Sequence, residues 1–117
     1  MSEDVGEFDA GGLSLTEQDA FSLSRSAVML DQSKEDSSKD KLAAALDHNL
    51  EIWVGIRTLV NRSEANVPQE VQDNLTKLAN YVADTTMAQG VDMSGEALDS
   101  LININLQISE GLLEGNQ

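Results

Sequence analysis

Between Leu42 and Val60 the apolar residues Leu42, Ala45, Leu46, Ile52, Trp53, Ile56, Leu59 and Val60 recur at spacings of three and four. That is the period of an α-helical face, and it predicts a helix over 38–61. On a helical projection its apolar arc spans roughly 220 degrees, well beyond the ~100 degrees of a one-sided stripe. A helix so patterned needs contact on two sides. A second wide pattern, Leu98, Leu101, Ile102, Ile104, Leu106, Ile108, Leu112 and Leu113, predicts a helix over 94–114 with an arc of roughly 200 degrees, opened by Ser94 and closed at Gly115. Between them, Val71, Leu75, Leu78, Ala79 and Val82 form a narrow stripe behind Pro68, which fits a first helical turn, and predict a helix over 68–89.

The first helix, expected over 14–30, starts at a capping box of Ser14 and Glu17. Its face is centred on the small residues Ala20, Ser24 and Ala27, so it is expected to pack weakly and to be loosely attached through the charged, Ser-rich stretch that follows. Residues 1–13 are acidic and Gly-rich and read as a disordered tail. One Pro and no alternating β-type run remain, so the expected fold is all-α: a small bundle of three to four helices forming one domain over 14–117.

Composition narrows the function classes. Asp and Glu number 21 against 7 Lys and Arg, a net charge of −14 that disfavours a phosphate backbone as partner. The chain has no Cys, which removes disulfides and thiolate metal sites. No apolar run reaches the ~20 residues of a membrane span, and the first residues lack the basic then apolar order of a signal peptide, so the cytoplasm is the expected location. Aromatic residues make up 3% of the chain, so its core must be largely aliphatic.

Candidate chemistry is sparse. His48 and Glu51 are one turn apart, a spacing that metal pairs use, but the chain has a single His and the projection puts both on the polar, solvated face. No Gly-x-Ser-x-Gly or phosphate-binding Gly loop occurs, so neither catalytic residue, metal nor cofactor is expected. Two asparagines are more informative. Asn49 and Asn105 each fall in the middle of a wide apolar arc, where an amide must find hydrogen bonds. They are expected to form a structural polar core, pairing with each other or with backbone, with a partner's backbone as the alternative for Asn105. Arg57 falls in the same arc, its stem over the core. Trp53 is expected to anchor the core, with a binding hot spot as its second role. Gly55 and Gly111 inside helices suggest the close approach of another helix, with local bending as the alternative at Gly111.

Three segments, ALDHNLEIW over 45–53, NVPQEVQDNLTKLANYV over 66–82 and LININLQISEGL over 101–112, together resemble the FlaF family of flagellar biosynthesis regulators. The shared features are Asn49 ahead of Trp53, a Pro-opened helix at Val67-Pro68, and the segment from Leu101 to Leu112 with Asn105 and Gly111. The chain departs from the pattern in having Val67 for Leu and in lacking an Arg-Glu-rich first helix. The resemblance implies a cytoplasmic, non-enzymatic protein that binds flagellin, supports its synthesis and secretion as a chaperone, and works alongside the FlbT regulator. The surplus apolar arcs suit such a role, and they mark Ile52, Trp53, Leu59, Ile102, Ile104, Asn105, Leu106, Ile108 and Leu112 as candidate partner-binding residues. The rival expectation is a homodimeric helical adaptor with no client, its excess apolar surface spent on a second copy.

Overall fold

A computed structural model describes residues 17–35, 39–62 and 67–115. They form four α-helices: α1 (Glu17–Ser33), α2 (Lys39–Val60), α3 (Gln69–Gln89) and α4 (Gly95–Gly115), with a short 3-10 turn at Gly90–Asp92 between the last two. Among the described residues there is no strand. The fold is all-α. The expected tail over 1–13 and the Ser14 cap of the first helix lie outside the described residues.

Local chemistry sets the helix ends. Pro68 precedes α3, and its carbonyl accepts the Gln72 amide at 2.9 Å. Ser94 caps α4: the Ala97 amide donates to Ser94 Oγ at 3.1 Å, satisfying one of the orphan N–H groups of the first turn. At the end of α2 the Asn61 amide donates to the Arg57 carbonyl at 2.8 Å, closing the opposite terminus by side chain. Between α3 and α4 the chain turns through Gly90, whose φ of 51° and ψ of −139° lie where a Cβ is not tolerated.

The helices run up and down. Ser24 meets Ser109 and Lys34 meets Asp99, so α1 and α4 are antiparallel. Ser26 meets Asn49, pairing α1 with α2, and Asn61 meets Thr76 while Arg57 Nη1 donates to Asn80 Oδ1 at 2.8 Å, pairing α2 with α3. The α1–α4 contact is the most extensive, followed by α2–α3 and α1–α2. By contrast α3 and α4 touch little. The wide arc of α2 is therefore contacted on two sides, by α1 and α3.

A largely aliphatic core runs through the centre, built around fully buried Leu23, Leu30, Trp53, Val60, Val82 and Leu101. Burying one such side chain contributes about 1.5–3 kcal/mol. The first helix differs from expectation: instead of hanging loosely it lies along α4, with Ala20, Leu23, Ala27 and Leu30 at most 2% exposed. The physical reason is that small residues let two helix backbones approach, while the hydroxyls of Ser24 and Ser26 find partners on α4 and α2 and that of Ser33 bonds back to the Leu30 carbonyl of its own helix, so none of them requires solvent.

Candidate partner-binding groove

Within this aliphatic core lies a cluster of buried polar side chains. Asn105 is fully buried; its Oδ1 accepts the Trp53 indole N–H at 2.8 Å, and its Nδ2 donates to Asn49 Oδ1 at 2.7 Å and to the Leu23 carbonyl at 3.2 Å. Because the indole can only donate, the amide orientation of Asn105 is fixed by Trp53. Asn49 Oδ1 also accepts a hydrogen bond from Ser26 Oγ at 3.1 Å, whereas Asn49 Nδ2 is buried without a partner among the described residues. One turn along α4, Ser109 Oγ donates to the Ala20 carbonyl at 2.7 Å and lies 2.7 Å from Ser24 Oγ. A hydroxyl has one proton, so Ser24 is the donor in that last contact. Through Asn105 and Ser109, α4 thus holds α1 by two main-chain oxygens.

This network places the two asparagines and Trp53 inside the molecule. Trp53 and Asn105 are 0% exposed, so in this structure neither offers surface to a partner. The other sequence candidates are nearer the surface. Ile52, Leu59, Ile102, Ile104, Ile108 and Leu112 are half-buried and Leu106 is exposed. They do not form one patch. Ile52 and Leu59 line a cleft of about 270 Å³ between α1 and α2, together with Gly55. Ile108 and Leu112 line a larger groove of about 640 Å³ between the first half of α3 and the last half of α4.

That groove exists because α3 and α4, joined closely at the Gly90 turn, stay apart along the rest of their length. Helices in a packed bundle lie 8–10 Å apart with side chains interlocked. Here the facing side chains leave room between them. From α4 come Gln107, Ile108, Gly111 and Leu112; from α3 come Val71, Asn74 and Leu75. The rim carries Glu70, Asp73 and one basic residue, Lys77. Val71 and Leu75 were not among the sequence candidates, because their narrow stripe reads as an ordinary core face. Val71 is in fact 41% exposed.

The glycines also differ from expectation. Among the described residues nothing lies within 4 Å of a Cβ placed at Gly55 or Gly111, so neither accommodates one of the other three helices. Each borders open space instead, at a cost of about 0.5–1 kcal/mol relative to Ala. His48 departs from its expected solvated position too: it is half-buried, and its Nδ1 is buried without a hydrogen-bond partner among the described residues. Among the described residues no three His, Cys, Asp or Glu side chains are grouped to hold a metal ion. The pKa of Lys34 is raised, chiefly by its hydrogen bond to Asp99 at 2.5 Å, with the charges of Asp99 and Asp31 adding to it.

Fold and groove together define a small antiparallel helical bundle with an apolar cleft on one edge. The match to flagellar protein FlaF extends over residues 10–112, most of the chain, and the chain belongs to that family. No curated protein and no solved structure matches it.

Proposed function

We propose that this FlaF-family protein binds flagellin in the cytoplasm and supports its synthesis and secretion, acting as a chaperone without catalysis and alongside FlbT. The observation that supports the reading is the α3/α4 groove: an apolar cleft on a chain of charge −14, which gives a client apolar contact and keeps the free protein soluble. An amphipathic segment of a client fits such a cleft by laying its apolar face between the two helices.

Isothermal titration with monomeric flagellin tests this. Saturable binding that Ile108→Asp weakens, in a variant still helical by circular dichroism, supports the reading. Absence of heat at tens of micromolar, where a contact of roughly 6–7 kcal/mol is still visible, refutes it.

A homodimeric adaptor is the second reading, favoured by Phe21 and Val28 on α1 and Leu106 and Leu113 on α4, all exposed on adjacent helices. Light scattering behind size exclusion separates the two: a stable dimer that ignores flagellin selects the adaptor.

A further inference from the structure

We propose that the α3/α4 groove receives a single amphipathic helix of the partner, with Lys or Arg flanking its apolar ridge, and that Gly111 is the point where a large apolar side chain of that helix inserts. The inference rests on the flagellin reading above and adds where the contact lies and what chemistry it selects.

The argument starts from Gly111. It lies inside α4, its φ is not in the positive region, and a Cβ built on it meets no atom within 4 Å. Neither backbone conformation nor packing among the described residues calls for glycine there. What glycine does is deepen the groove wall. By helical spacing Ile104, Gln107, Ile108 and Gly111 stand at i, i+3, i+4 and i+7, the four corners that receive one knob in knobs-into-holes packing. Across the groove, Val71, Asn74, Leu75 and Leu78 repeat the same spacing on α3. Three corners of each set, Gln107, Ile108 and Gly111 on α4 and Val71, Asn74 and Leu75 on α3, line a shared space of about 640 Å³, more than one side chain fills, and the trough between two antiparallel helices suits a third helix.

Charge selects the flank of that helix. Glu70 and Asp73 outnumber Lys77 on the rim, and the chain as a whole carries −14. A second copy of this chain would bring another fourteen negative charges to the interface, whereas a helix with basic residues beside its apolar ridge meets opposite charge.

The test compares wild type, Gly111→Ala, Gly111→Leu and the double variant Glu70→Lys/Asp73→Lys in calorimetric titration with monomeric flagellin, with Tm measured on each. Gly111→Ala is expected to raise Tm by about 2–5 °C, since it removes only chain entropy, and yet to weaken binding. Gly111→Leu, which fills the hole, is expected to weaken Kd by about tenfold or more. The charge-reversed variant is expected to bind several-fold more weakly at about 50 mM NaCl, and the difference is expected to shrink at about 500 mM as salt screens the rim. Equal affinity for wild type and both folded Gly111 variants overturns the inference while leaving flagellin binding intact. Loss of wild-type binding itself overturns the flagellin reading, and the inference with it. A wild-type dimer that Gly111→Leu converts to monomer identifies the occupant as a second copy and also overturns it.

Discussion

Replacing Asn105 by Leu removes the centre of the polar network while keeping the volume of the side chain, and its cost follows from the bonds lost. The Trp53 N–H, buried and with Asn105 Oδ1 as its acceptor at 2.8 Å, is left unsatisfied, at about 1–3 kcal/mol. The bond to Asn49 Oδ1 is also lost, but that oxygen keeps Ser26, so the loss is a single net hydrogen bond of about 0.5–1.5 kcal/mol. The Leu23 carbonyl lies within α1, so losing Asn105 Nδ2 adds little. The expected destabilisation is about 2–4 kcal/mol, a large part of the total stability of a domain this size. Urea unfolding followed by circular dichroism and by the fluorescence of the single Trp measures it. Adding Trp53→Phe removes the orphaned donor, so the double variant is expected to lose less than the sum of the single losses, with a coupling of about 1–2 kcal/mol. A destabilisation below about 1 kcal/mol for Asn105→Leu, or additive single effects, would refute the view that Asn105 holds the indole in place.

Other outcomes follow from the same structure. Gly55→Ala should raise stability by about 0.4–1 kcal/mol in urea titration, because nothing occupies the space its methyl enters. Gly90→Ala should lower it by about 1–3 kcal/mol by the same assay, because a Cβ must then adopt a φ of 51°. Raising NaCl should raise Tm in thermal scans, since screening weakens the self-repulsion of fourteen uncompensated negative charges. The folded-state pKa of Lys34 is raised above 10.5, so its contribution is complete at neutral pH and is lost only as pH climbs through that raised value; urea midpoints measured across the alkaline range should show a decline there that Asp99→Asn removes.

The sequence made the elements legible because their signals are local. Pro68 and Ser94 mark helix starts through their own backbone and hydroxyl chemistry, and the arcs through Trp53 and Leu101 point at a core. Asn49 and Asn105 could be placed in those arcs from periodicity, since a polar residue at a buried position is itself a signal. The groove was not legible. A helical wheel shows that Ile108 and Leu112 face inward, but the spacing between α3 and α4 depends on how all four helices settle. The same limit explains Gly111, where a missing side chain reads alike whether a neighbouring helix or open space stands against it. It also explains α1: Ser24 and Ser26 weaken an apolar stripe, and only the assembled bundle supplies Ser109 and Asn49 as their partners.

The grip of Asn105 and Ser109 on the main-chain oxygens of Leu23 and Ala20 has an evolutionary consequence. Every residue type carries a carbonyl, so these two bonds place no demand on the identity of the residue that accepts them. Selection on α1 then falls on keeping Ala20 and Ala27 small, Leu23 and Leu30 apolar and the hydroxyls of Ser24 and Ser26 in place, while its outer face, including Phe21 and Val28, is free to drift. In a lineage, α1 is the segment where new surface chemistry can accumulate fastest without loss of the fold.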